Sequence, residues 1–552
     1  MKLKNKQMTV SSLDKVFPYE GPKMPLSKYS VFKNETFHFQ VACFADWLYL
    51  KTQITIESDL GDAVSIRAVE HIPSHSAGRM GEGDTYRLRV KGDYQMYPDL
   101  LRPLYEEGEA LRKGSWTTFW VTVDGRKGLP VGEHKIKIKT YKTYKPVDDL
   151  TFDEESVFTL KVIDAELPPS DLTYTCWMHY DCISQIHGIE MWSEDFYQML
   201  GEYISSAVKH GMTMLYTPLF TPALDKAVGS YRQTAQLIKV KKDKNGYAFD
   251  FSEVLKFMRF AREKGIKQFE LCHFATQWGA EFCPKVMASV DGKEERIFGW
   301  DTRSDSVEYL EFLEQMLSNL STVLQDSGFI DDVYFHISDE TPPKSVDKFL
   351  AIKKVIDKHF QRAKIMDATS WKSMYESGAL THPVMGIGNE WRQDWVYYAS
   401  GGRAKKHTPN RSFAMPSQRN RVLGTLMYRN GNHGFLHWGF NFYHCAESFR
   451  LLNPYFQTDA GGSFDSGDAF LVYPAKAGVY ESIRHEVLAN GFTDYRALQL
   501  LESFVGREET LRFLKKCGVK VGYCFAYPTK KYWLEKFRLQ VNEYIERILA
   551  RN

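Results

Sequence analysis

Residues Val333–Pro343 read VYFHISDETPP. The stretch opens as a clean strand, surfaces in two adjacent carboxylates, Asp339 and Glu340, and is broken by Pro342-Pro343. Alternation sets Val333, Phe335 and Ile337 on one side and Tyr334, His336 and Ser338 on the other. An apolar side suits packing against helices, and a polar side suits the axis of a closed barrel. Continued regularly, the pleat would turn Glu340 inward and Asp339 outward. Both acids can serve one substrate only if the strand bends at 339–340. A competing reading makes Asp339 or Thr341 the cap of a helix begun by Pro342.

Seven further runs resemble this one. They are 172–182, 211–220, 266–274, 364–371, 383–391, 394–402 and 433–443, and amphipathic segments such as SEDFYQMLGEYISSAVKHG and SEVLKFMRFAREKG lie between them. Apolar spacing of three and four with a closing glycine at Gly265 predicts helices there. Eight strands with intervening helices predict an α/β fold built on a (β/α)8 TIM-like barrel. The interval between the sixth and seventh runs leaves little room for a helix. Before the barrel, residues 1–167 alternate in short strands with Gly and Pro turns and predict an N-terminal β-sandwich, read as a packing domain that braces its neighbour. Within it, Thr117–Tyr141 reads as two strands around a Gly/Pro turn. Pro168-Pro169-Ser170 forms a stiff linker, the barrel is assigned to 171–475, and residues 476–552 are expected to be a C-terminal helical segment packed on the barrel.

Composition narrows the function. Lys+Arg 71 against Asp+Glu 69 gives a net charge of +2, which recommends no nucleic-acid partner. Aromatic residues reach 14%, enough to build a core and also to stack on sugars. The eight cysteines show no CxxC spacing, which argues against a zinc ribbon, a redox pair or a disulfide framework. No HExxH or HxH appears, so neither a metal nor another cofactor is expected. No run approaches the ~18–20 apolar residues of a membrane span, and the amino-terminal segment has no apolar stretch behind its basic residues. The expected location is cytoplasmic, with secretion open if a leader has been removed. Oligomeric state is not legible.

In a barrel of this kind the site lies at the C-terminal strand ends. Those ends present His179 and Asp181, His273 and Trp278, Asp367 and Trp371, Asn389 and Glu390, Tyr397, and Trp438 and Asn441 beside Asp339 and Glu340. Such a ring of aromatic and hydrogen-bonding groups suits a pyranose. A conventional retaining glycosidase needs two carboxylates on different strands about 5 Å apart, and the seventh run, WVYYASGG, carries no acid. An adjacent Asp-Glu pair has another use. Glu340 can protonate the leaving oxygen, aided by a pKa raised by its neighbour, while Asp339 orients a 2-acetamido group whose carbonyl oxygen attacks the anomeric carbon.

The pair after FHIS, the segments WVYYASGG and GFLHWGFNFY, and GDAFLVYP…ESIRHEVLANGFTDYRAL together resemble glycoside hydrolase family 123, the β-N-acetylgalactosaminidases. The family pattern GDGFLVYPG…SIRLEALRDGLEDYEYL is departed from at Ala475 and at Ala489-Asn490, positions expected to be packing. The resemblance covers nearly the whole chain. It implies an exo-acting retaining enzyme that removes terminal β-GalNAc, for example from glycosphingolipid glycans, through an oxazolinium intermediate. It further implies Asp339 and Glu340 as the catalytic pair, Tyr397 as donor to the acetamido oxygen, Trp438 as a pocket wall and Asn441 as a hydroxyl contact. Asp181 or His273 is expected to select O4 or O3 of the sugar, with Trp278 and Trp371 as stacking rings and His179 and Asn389 as further contacts. The alternatives are double displacement using Glu340 and Glu390, or a glycan-binding protein without turnover.

Overall fold

The computed structural model describes residues 6–74, 95–145, 149–244, 246–388, 392, 394–398, 407–520 and 526–551. Its centre is a closed barrel of eight parallel strands: β1 (Thr173–Cys176), β2 (Met214–Thr217), β3 (Gln268–Leu271), β4 (Val333–His336), β5 (Ile365–Thr369), β6 (His382–Gly386), β7 (Trp395–Tyr397) and β8 (Gly434–His437). Seven lie inside runs read from the sequence, and β6 begins at His382, one residue before the run read at 383–391. The alternation read for β4 holds: Phe335 packs edge-on against Phe360 at 4.7 Å on the helix side, while His336 turns inward to Glu270 and His273.

Helices follow seven of the eight strands among the described residues. These are α1 (Tyr180–His187) and α2 (Glu194–Lys209), then α3 (Ser252–Glu263), α4 (Val307–Asp326), α5 (Val346–His359), the short α6 (Lys372–Glu376), α7 (Ser417–Asn430) and α8 (Ile483–Val505). No described helix separates β6 from β7, where only eight residues connect them. Local chemistry starts several of these helices. The side chains of Ser193, Ser306 and Ser482 accept the amide N–H of Phe196, Tyr309 and His485, each satisfying an orphan donor of the first turn. Gly265, at φ +106°, closes α3 as expected.

Two largely antiparallel sheets precede the barrel. One orders Gln7–Ser11, Phe37–Ala45, Ser115–Val123, Val64–Ser74 and Gln95–Arg102 and is completed by Gly478–Ser482 and Val472–Ala475. The other orders Lys28–Phe32, Thr151–Ile163, Gly132–Thr143, Tyr49–Glu57 and Glu109–Leu111. The pair of strands read at 117–141 is therefore not a hairpin, because Ser115–Val123 and Gly132–Thr143 lie in different sheets. Their periods are identical, so alternation alone cannot distinguish a turn from a crossing between layers.

The seven-stranded sheet is the middle layer of the molecule. Period two sends Phe119 and Val121 into the core between the sheets, with Ile136 and Phe158, and sends Trp120 into the core shared with the barrel. Both faces of Phe37–Ala45 are consequently buried. The segment after residue 475 opens with a strand rather than a helix, since Gly478–Ser482 pairs with Gln95–Arg102 through Glu481↔Leu101. Helices α8, α9 (Arg507–Lys516) and α10 (Trp533–Leu549) follow, and α10 lies against both α8 and the strand Lys28–Phe32. Among the described residues no helix is long and apolar enough to cross a membrane.

Candidate active site

At the end of β4 the chain bends where the pleat requires it. Glu340 sits at φ +50°, in the left-handed region that a bulky residue enters only when the surroundings fix it there. The carbonyl of Asp339 accepts the Trp278 N–H at 2.7 Å, and the Ile337 carbonyl accepts that of Ala275 at 2.7 Å, so the loop after β3 runs along the bend. The Glu340 N–H donates to Asp367 Oδ1 at 3.2 Å. Neither Asp339 nor Thr341 caps a helix, for Pro343–Ser345 and α5 both start without a side-chain cap.

The Tyr397 hydroxyl, at the end of β7, donates to Glu340 Oε1 at 3.3 Å. Gly386 on β6 makes room for this ring, because a Cβ there would lie 3.2 Å from the phenol carbon and oxygen. Burial, then the charge of Glu340, pushes the Tyr397 phenol up, so it remains a donor. Burial, then the charges of Glu340 and Glu270, holds the Asp339 carboxyl well above the ordinary carboxylate range. Asp367 is raised in the same way, by burial and then by Asp339.

Beneath these acids the barrel axis is polar. Glu270, with no exposure, accepts Trp177 Nε1 at 2.6 Å and Thr175 Oγ1 at 2.8 Å and pairs with His336. His273 stacks on His336 with centroids 4.4 Å apart, and its Nδ1 meets the Tyr216 hydroxyl at 2.9 Å. The ring is wholly buried in the axis. His273 thus follows the end of β3 with no exposure and with Nδ1 engaged by Tyr216.

The β8 side supplies an aromatic wall. Trp438 donates Nε1 to Asp468 Oδ2 at 3.1 Å, and His437 Nε2 lies 3.2 Å from Asp468 Oδ1. His437 Nδ1 accepts from Arg411 at 2.8 Å and from Gly439 N–H at 3.0 Å, which assigns the proton to Nε2. Burial opposes the charge of Asp468, yet the bond from His437 and the charges of His437 and Arg411 hold its carboxyl below the usual range. Phe442 and Phe464 flank the indole at 5.2 and 4.9 Å.

His179, Asp181 and Asn441 stand behind that wall with their polar atoms occupied. Asn441 clamps the main chain of His179 through Oδ1 at 2.8 Å and Nδ2 at 3.1 Å, and His179 Nε2 meets the Trp438 carbonyl at 2.9 Å. Both Asp181 oxygens accept from Arg232, at 2.6 and 2.7 Å. Asp181, Cys182 and His444 bring ligand-type atoms together, but the Arg232 guanidinium already neutralises the carboxylate. Trp278 is 57% exposed at φ +64°, on the rim beside Asp339, and Trp371 is partly buried at the start of α6. Asn389 and Glu390 lie outside the described residues.

The sequence reading missed Arg232 and Asp468 and used Asp367 only as one member of a ring. Arg232 lies in a long connection after β2 with no pattern to mark it. Asp468 could have been found from GDAFLVYP, a segment in which an acid opens an apolar run.

Residues 177–501 match the family model for the glycoside hydrolase 123 catalytic domain. The chain belongs to glycoside hydrolase family 123. Its fold overlays a family 123 glycoside hydrolase from Clostridium perfringens, solved in a study of glycolipid glycan hydrolysis, with a TM-score of 0.73 and 14% identity over 99% of this chain and 98% of that one. A β-galactosidase from Bacillus circulans sp. alkalophilus overlays with a TM-score of 0.34 and 7% identity, over 59% of this chain and 56% of that one. A GH10 xylanase with a bacterial Ig-like domain, from termite gut, gives 0.31 and 8% identity over 86% and 100%. No curated protein matches the chain. Family membership makes the chain a glycosidase, and its substrate is a glycan.

Proposed function

We propose that this family 123 enzyme is an exo-acting, retaining β-N-acetylgalactosaminidase that works by substrate assistance on terminal β-GalNAc, with glycosphingolipid oligosaccharides as one substrate class. The observation that carries the reading is the adjacent pair Asp339 and Glu340 on one left-handed bend, with Tyr397 in contact with Glu340. The carbonyl oxygen of the 2-acetamido group attacks C1 as Glu340 gives its proton to the leaving oxygen. The C1–O bond breaks, and an oxazolinium forms with its positive charge spread over the ring nitrogen. Asp339 accepts the N–H and stabilises that charge, while the Tyr397 hydroxyl turns from Glu340 to the acetamido oxygen. Water, deprotonated by Glu340, then opens the ring with overall retention. An Asp339 carboxyl pushed up by burial is suited to this task, because it gains most from a cation that appears only in the transition state.

GalNAc-thiazoline, which mimics the oxazolinium, should inhibit strongly, and NMR should show the β-anomer of GalNAc as first product. Weak inhibition would point instead to double displacement. Glu340→Gln should lose ~10²–10⁴-fold on glycans with poor leaving groups and much less on activated aryl glycosides. Equal losses on both would remove Glu340 from the acid role, and wild-type protein that binds glycans without turnover would exclude an enzyme of this kind.

A further inference from the structure

Asp367 is the acid that this mechanism leaves unused, and its placement is specific. It stands on β5 with no exposure, its Oδ1 accepts the Glu340 N–H at 3.2 Å, and the Thr341 amide adds a second main-chain contact. It therefore holds the one residue of the catalytic pair whose backbone is strained. Its second oxygen, Oδ2, is buried and has no partner. An ionised carboxylate is seldom left so, since an unpaired buried charge is costly. Among the described residues, the charged and titratable groups acting on this pocket are Asp339 and Glu340 from the bend, Glu270 and His336 from the axis below, and Tyr397 from β7.

We propose that Asp367 is a positioning residue that fixes the Asp339–Glu340 bend and carries the proton of a two-carboxylate unit, leaving Asp339 anionic when substrate binds. This rests on the substrate-assisted reading above. Asp367 holds its proton on Oδ2, the oxygen that has no partner. When the acetamido N–H arrives, Asp339 accepts it and the proton stays on Asp367 Oδ2. No proton enters or leaves the pair, and none is needed from solvent. Burial, then the charge of Asp339, disfavours the ionised form of Asp367, which agrees with a proton held there.

Asp367→Asn keeps the acceptor for the Glu340 N–H and removes the proton site. Asp339 must then ionise by itself in its enclosed position. The acid limb of the kcat/KM–pH profile should move up by a unit or more, with kcat/KM at pH 5 down tenfold or more and partial recovery at higher pH. A profile parallel to wild type, whatever its height, would overturn the proposal. Infrared spectra of Glu340→Gln with GalNAc-thiazoline bound supply a second readout that does not depend on the Asp367 variant folding and in which the general acid gives no band. A protonated carboxyl band should be present above pH 6, and its absence would overturn the proposal. Wild-type thiazoline inhibition keeps the two readings apart: without it the substrate-assisted mechanism fails, and with it a parallel profile refutes Asp367 alone.

Discussion

Asp339 is buried, with the charges of Glu340 and Glu270 near it, so its own charge is disfavoured in the folded protein. A carboxyl whose pKa is raised on folding binds its proton more tightly in the native state. Its stabilising contribution is complete below the unfolded value of about 4 and is lost as pH rises through the folded value. Asp339→Asn should therefore raise the melting temperature at pH 7–8, by an amount equivalent to on the order of 1 kcal/mol, and this advantage should vanish near pH 4. The same change should lower kcat by ~10²-fold or more, because an amide cannot balance the oxazolinium charge. Melting and kcat on one sample decide the matter, and a variant that is less stable at every pH would contradict it. The pair was legible in the sequence because two like charges ending a strand break its pattern. Arg232 acts by orienting another side chain, Asp181, and such a role leaves no periodicity to read, whereas Asp468, which holds Trp438, is marked by the apolar run it opens.

At the scale of elements, the ends of β1 and β8 are neighbours in the barrel, and each carries a buried histidine. Burial, then the charge of Arg232, lowers His179 to about 3, and burial, then Arg411, lowers His437 to about 4. A depressed histidine contributes stability above the unfolded value of about 6.5 and loses it as pH falls toward the folded value. By pH 5 each should cost about 2 kcal/mol. The melting temperature should thus fall from pH 7 to pH 5, and His437→Asn should flatten the slope. A wild-type profile that is flat in this range would contradict the assignment. The eight barrel strands were readable because each is a short apolar run bounded by turns or helices. The strand Gly478–Ser482 was not, since its middle residues are only half-buried and its partner lies far away in sequence, at Leu100 and Leu101. Pairing at that separation is set by packing, which local pattern does not encode.

In the whole molecule, Asp494 on α8 accepts from Arg421 on α7 at 2.8 and 2.9 Å and lies 3.2 Å from Arg538 on α10. Arg538 reaches Glu35 in the sandwich at 2.8 Å. All four are buried or nearly so. Asp494→Ala would strand two guanidinium groups without their shared anion and should cost ~3–5 kcal/mol. Calorimetry should show sandwich and barrel melting together at a lower temperature, and an unchanged melt would make this network peripheral. Helical spacing after Ser482 was plain in the sequence, but nothing in it says that α10 reaches back to the amino-terminal strands.

The hairpin Val472–Ser482 also sets a timetable. During synthesis the strand Gln95–Arg102 emerges long before Gly478–Ser482, which pairs with its free edge. At ~5–20 residues per second the ribosome needs on the order of half a minute to deliver that partner. Through this interval the nascent sandwich carries an open edge able to pair with another chain. Messages translated slowly between the two segments should lose yield to aggregation, and the amino-terminal sheets made by themselves should call on chaperones that the finished enzyme no longer needs.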